Sequence, residues 1–217
     1  MTLTIILTFA PSLMILAFVV LSDRFPEPID MVLSTFFLGF LLCLPAGILN
    51  NYLIFSNDTP SDYVYLAGLT EETLKFLALF FFIRKRVEFD EPMDAIVYGT
   101  LISLGFATYE NYEYVFIYNE TLSSLQTAQI RSVTAVPLHA FCGIIMGYNF
   151  GIYSTTKSTR YLYQSLAIPV LLHCVYNYLD SLLYTFILII FSLIVCLYLH
   201  QSLALKQKEK MFEKEFN

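Results

Sequence analysis

The feature that most constrains this 217-residue chain is a series of apolar runs that repeatedly reach about 20 residues, the length at which an α-helix crosses the hydrocarbon core of a bilayer. In lipid every backbone polar group must be satisfied inside the spanning segment, so such runs predict helices rather than open sheets. Seven spans are read, at about residues 2–22, 30–55, 63–83, 93–118, 132–153, 161–179 and 183–203. The breaks between them are polar or carry proline: Ser22 to Pro28, Ser56 to Asp62, Arg84 to Pro92, Asn119 to Arg131, and Ser154 to Arg160. The weakest, Asp180 and Ser181, has neither glycine nor proline. Only 14% of the residues are charged, against roughly 25% in soluble domains. The composition therefore argues against a water-soluble fold. The first run is too long and too poorly flanked for a cleaved signal peptide. The expected fold is all-α: a polytopic transmembrane helix bundle, one integral membrane domain over residues 1–217 with a short charged cytoplasmic tail from about residue 204.

Alternating the breaks across a membrane sorts the basic residues onto one side. Arg24, Arg84, Lys85, Arg86, Lys157, Arg160, Lys206, Lys208, Lys210 and Lys214 fall together, while Arg131 stands alone on the other side and Lys75 lies inside the third span. The richer side is the expected cytoplasmic face, which puts the N-terminus outside. The net charge of −6 gives no support for nucleic acid binding. Cys43, Cys142, Cys174 and Cys196 lie in apolar stretches without metal-ribbon or disulfide spacing, and read as packing residues.

Ionisable side chains inside a span are costly and usually mark function. The third span holds Glu71, Glu72 and Lys75, the fourth Glu110 with Asn111, the fifth His139, and the sixth His173 with Asn177. At about 1.5 Å of rise per residue, Glu71, Glu110, His139 and His173 all fall roughly 9 to 12 Å below the outer surface. A shared depth across four helices predicts one buried constellation. At about 100° per residue, Lys75 projects between Glu71 and Glu72, while the two glutamates diverge, so one of them faces a reaction centre and the spacing leaves open which. His139, Gly143, Gly147 and Gly151 recur every four residues, a stripe that lets another helix approach closely. Gly99, Ser103, Phe106 and Glu110 stack similarly on the fourth span.

A buried carboxylate can act as general base toward water, and imidazole or amide donors can stabilise the oxyanion that follows. The preferred reading is a metal-independent, glutamate-dependent hydrolase without a cofactor. Zinc held by the histidines and carboxylates is the mechanistic alternative, opposed by the neighbouring Lys75 cation and unsupported by any HExxH motif. A proton-coupled transporter and a silent scaffold for a partner helix are the other classes; inverted repeats, which would favour transport, are not visible.

The series Glu71-Glu72-Thr73-Leu74-Lys75, Phe106-Ala107-Thr108-Tyr109-Glu110-Asn111, His139, and His173 through Asn177 resembles the motifs of the PrsW family of bacterial intramembrane proteases. Asp23 through Pro28 and Phe89 through Gly99 resemble its loops, and the likeness runs in order from about residue 20 to 180. The family is similar in turn to the CAAX prenyl protease and bacteriocin-processing group, in which paired glutamates precede a basic residue; where that group often has FxxxH, this chain has Phe106 followed by Glu110. The resemblance implies a multi-pass protein of the bacterial cell membrane that makes the first, extracytoplasmic cut in a single-pass anti-sigma factor during stress signalling. It also implies roles: Glu71 as general base, Glu72 with Lys75 setting its charge, and His173 with Asn177 steadying the oxyanion. His139 and Glu110 would orient water or protonate the leaving amine, with Asn111 in support.

Overall fold

The computed structural model describes residues 1–118 and 122–216, with side chains described to residue 209. Among the described residues eight α-helices follow one another: α1 (Thr2–Ser22), α2 (Ile29–Asn50), α3 (Leu66–Ala78), α4 (Pro92–Phe116), α5 (Ser124–Val133), α6 (Ala135–Thr156), α7 (Thr159–Tyr178) and α8 (Leu182–Phe216). Two π-helical turns, Asn51–Phe55 and Leu79–Ile83, prolong α2 and α3, and a 3-10 turn, Pro60–Tyr63, leads into α3. The described residues contain no strand. The chain is an all-α membrane bundle, with helices at all seven apolar stretches. Four stretches are long and apolar enough to cross a membrane by composition alone: Thr2–Ser22, Ile29–Phe55, Ser124–Thr156 and Leu182–Glu209. The other stretches, α3 with its π turn, α4 and α7, carry the expected site residues that dilute their hydropathy.

The centre of the bundle is α4, buried without interruption from Met93 to Thr108. It packs chiefly on α6, and the glycine stripe explains how closely. A Cβ on Gly143 would sit 2.7 Å from the Gly99 carbonyl oxygen and 2.8 Å from Thr100 Cα, inside van der Waals contact. Backbone therefore lies against backbone, as small residues permit. On the other side of α4, a Cβ on Gly39 would overlap the Ile102 carbonyl, which pins the first half of α2. Around this centre, α1, α2 and α8 expose Met14, Phe37, Ile190 and Ile194, as helices solvated by lipid would.

Two segments differ from the sequence reading. The break expected from Asn119 to Arg131 contains α5, whose Ser123 hydroxyl accepts from Gln126 N–H while the Gln126 side chain reaches back, a capping box that starts a helix in a polar stretch. Residues 119–121 of that break lie outside the described residues. The charged tail from about residue 204 prolongs α8 rather than following it. At the far end of α4 from Glu110, the two loops noted above meet. Tyr98 donates to Glu27, Asp94 Oδ2 accepts from the N–H groups of Asp90 and Glu91, and Gln207 Nε2 donates to Asp23 and Glu91. Burial pushes the Glu27 carboxyl above its ordinary pKa.

Candidate active site

The α3 residues separate as helical geometry requires. Glu72 and Lys75 have no exposed surface, and Lys75 Nζ lies 2.7 Å from Glu72 Oε1. The ammonium also sits 2.8 Å from His139 Nδ1 on α6 and 4.2 Å above the Phe106 ring on α4. Glu72 Oε1 takes a second bond from His173 Nδ1 on α7 at 2.9 Å. Glu72 is thus the junction of α3, α6 and α7. One turn face away, Glu71 lines a cavity of about 940 Å³ walled by α2, α3, α4 and α7, which Glu72 does not reach. Of the two carboxylates whose directions the spacing left open, Glu71 is the one on the cavity.

On the other wall, Glu110 Oε2 lies 3.0 Å from His139 Nε2 and 2.5 Å from Arg131 Nη2, in a pair 14–15% exposed. The His139 and His173 rings meet edge to face at 5.0 Å. Hence Glu71, Glu72, Lys75, Glu110, His139 and His173 form one connected group. The two asparagines stand at its edge. Asn177 lines the cavity and donates to the Val64 carbonyl at 3.3 Å. Asn111 is fully buried away from it, where Nδ2 donates to Thr8 O of α1 and Oδ1 accepts from Arg131 Nε, each at 2.8 Å. Its contact with the group passes through Arg131.

Three residues in this network were not among the sequence candidates. Arg131, which the sequence sets alone among the basic residues, belongs to α5 and reaches Glu110 from there. Asn50, at the end of an apolar run, donates Nδ2 to Glu71 Oε1 at 3.2 Å, and Thr70 donates Oγ1 to Asn50 Oδ1 at 2.5 Å. The readable signal for Arg131 was the S-x-x-Q pattern; a lone Asn and a Thr beside two glutamates offered none.

Glu71, His139 and His173 each offer a ligand atom within 4.8 Å of the others, the donor types that zinc takes. Two of them suit a metal. Glu71 Oε2 is buried and receives no hydrogen bond, and His173, tied at Nδ1 to Glu72, turns Nε2 toward it at 3.9 Å. His139 does not. An ammonium has only donors, so Lys75 makes Nδ1 the acceptor and leaves the proton on Nε2, the nitrogen nearer Glu110. A three-ligand centre would need the opposite tautomer beside a displaced positive charge, and the residues as arranged do not fit one.

Comparison with known proteins gives a consistent picture. Residues 27–200 match the sequence profile described as PrsW family intramembrane metalloprotease. The chain is 36% identical over 176 residues to Protease PrsW of Geobacillus kaustophilus, covering 78% of this chain and 76% of that one. It is 34% identical to Protease PrsW of Oceanobacillus iheyensis over 91% of this chain and 92% of the other. Against the Bacillus subtilis Protease PrsW it is 34% identical, covering 78% and 79%. No solved structure matches it.

Proposed function

The chain belongs to the PrsW family of intramembrane proteases, and from that premise we propose that it hydrolyses a peptide bond of a single-pass membrane protein with a water activated by Glu71. The substrate we infer is an anti-sigma factor, cut on its extracytoplasmic side in the bacterial cell membrane. The observation that carries the mechanism is the Glu71 carboxylate: buried, on the cavity, held at Oε1 by Asn50, with Oε2 receiving no hydrogen bond among the described residues. Oε2 takes a proton from water as the water oxygen bonds to the scissile carbonyl carbon. When the C–N bond breaks, that proton passes to the leaving nitrogen.

The other groups hold and polarise. Asn177 and Arg131 line the cavity and supply N–H donors to the oxyanion. Glu72 and Lys75 fix both imidazoles, so that His139 directs Nε2–H at Glu110 and His173 directs Nε2 at Glu71. Expected depth agrees with an outward-facing cut, since Glu71 lies near the start of α3, after the loop assigned to the outer face.

The test is cleavage of a tagged single-pass anti-sigma factor by purified protein in detergent, comparing wild type with Glu71→Gln and Glu72→Gln, each with and without chelator. Loss of cleavage in Glu71→Gln with no effect of chelation is the expected result. Chelator-sensitive cleavage restored by zinc would transfer the mechanism to a metal. No cleavage by folded wild type across a panel of such substrates would count against the substrate class.

A further inference from the structure

Glu71 Oε1 is held from α2 by a side chain to which the mechanism above gives no chemical step. Asn50 Nδ2 lies 3.2 Å from Oε1, and Asn50 Oδ1 lies 2.5 Å from Thr70 Oγ1, one residue before Glu71. The orientation of the carboxamide follows from chemistry. A carboxylate only accepts, so the NH2 end must face Glu71, and the oxygen then accepts from the Thr70 hydroxyl. That hydroxyl has a single hydrogen, shared with Ala67 O at 3.0 Å, which anchors it to the α3 backbone. Flipping the amide would set its oxygen against the Glu71 carboxylate, which is the contact that fixes the orientation.

Taking Glu71 as the base, we propose that Asn50, aligned by Thr70, is a positioning residue that secures Oε1 and so selects Oε2 as the oxygen presented to the cavity. The amide is neutral, so it orients the carboxylate without cancelling the negative charge that base catalysis needs, as an arginine or lysine there would. The same contact joins two helices. Asn50 ends α2 on the cavity wall and Glu71 belongs to α3, so the base is aligned only when these two elements are in register. A freely rotating carboxylate spends part of its time with neither oxygen aligned, and misplacement of about 1 Å can cost on the order of 100-fold in rate.

The test uses steady-state cleavage of a tagged single-pass membrane protein by Asn50→Ala, Thr70→Val, Thr70→Ser and the Asn50→Ala/Thr70→Val double variant, with Glu71→Gln alongside. Asn50→Ala should lower kcat by about 10- to 100-fold with KM within about threefold of wild type. Thr70→Val should give part of that loss, and Thr70→Ser, which keeps the hydroxyl, should restore it. The double variant should be no slower than Asn50→Ala alone, because Thr70 acts only through Asn50. A side chain that merely packs would give additive losses, or a change in stability without a change in kcat. Near-wild-type kcat in Asn50→Ala, with Glu71→Gln inactive, overturns this inference and leaves the base intact; an active Glu71→Gln overturns both. If Asn50→Ala does not fold, the Thr70 pair decides alone: equal rates for Val and Ser refute the proposal.

Discussion

Replacing Lys75 by methionine keeps length and removes charge, and it strands the most buried carboxylate of the site. Glu72 loses a 2.7 Å ion pair, His139 loses a 2.8 Å donor, and Phe106 loses a cation 4.2 Å from its ring. Charge-assisted hydrogen bonds are worth about 1.5–3 kcal/mol each and a desolvated cation–π contact about 0.5–2 kcal/mol. Against these gains stands the cost of burying the ammonium itself, so the terms do not simply add. Breaking a buried pair from one side costs about 3–5 kcal/mol, which at 1.36 kcal/mol per decade is roughly two to four decades in the unfolding constant. Glu72 would retain the His173 bond on Oε1, with His139 Nδ1 at 3.9 Å, while Oε2 receives no hydrogen bond among the described residues. The decisive comparison is Lys75→Met with Lys75→Met/Glu72→Gln, by equilibrium unfolding in mixed SDS micelles followed by circular dichroism. The double variant removes the stranded charge and should recover more than half of the loss, although neither protein should cleave substrate normally. A single-variant cost below about 1 kcal/mol, or a double variant less stable than the single, would refute the reasoning.

Other perturbations separate the parts of the bundle. Gly47 faces open space on the cavity wall, so Gly47→Ala should stabilise α2 by about 0.5–1 kcal/mol, while Gly47→Phe should raise KM by filling the cavity. Gly143→Ala, whose Cβ meets the α4 backbone, should instead cost about 1–3 kcal/mol in the same unfolding assay. Arg131→Lys keeps the charge but cannot grip Glu110 and Asn111 through separate nitrogens, and should lose about 1–3 kcal/mol with reduced cleavage. Near the other end of α4, burial raises the Glu27 pKa, so its contribution to stability is present at low pH and fades as pH rises through the folded value. Glu27→Gln should flatten that dependence and leave the protein relatively more stable near neutrality, as read by unfolding midpoints across a pH series.

Much of this was legible because lipid imposes simple rules on sequence. Helix limits followed from apolar length, and Thr2–Ser22 coincides with the first span as read. The ionisable layer was visible because Glu71, Glu110, His139 and His173 are anomalous wherever they occur in such runs. Spacing likewise foretold that Lys75 would find a carboxylate, yet its choice of Glu72 depends on where α6 and α7 lie, which periodicity does not encode. Asn50 and Thr70 carry no such signal, because neutral polar residues within a span are ordinary, and only their convergence on Glu71 distinguishes them. The helix that carries Arg131 is hidden for another reason: a short polar helix leaves no hydrophobic signature, and the capping pattern at Ser123 and Gln126 is its local trace. The π turns after Asn50 and Ala78 have no sequence signature at all.

The close seating of Gly39 on α4 has a mechanical corollary. It clamps the first half of α2, while beyond Pro45 the helix lines a void and passes into a π turn. Its far end is held again, where Asn50 bonds Glu71 and Thr70 on α3 and Ile54 of the π turn is buried, so the stretch between bridges the void like a beam supported at two points. Under the mechanism proposed above, admitting a bulky polypeptide and aligning the Glu71 oxygen would both load this beam, so stiffening it by design would trade tolerance for large substrates against speed on small ones.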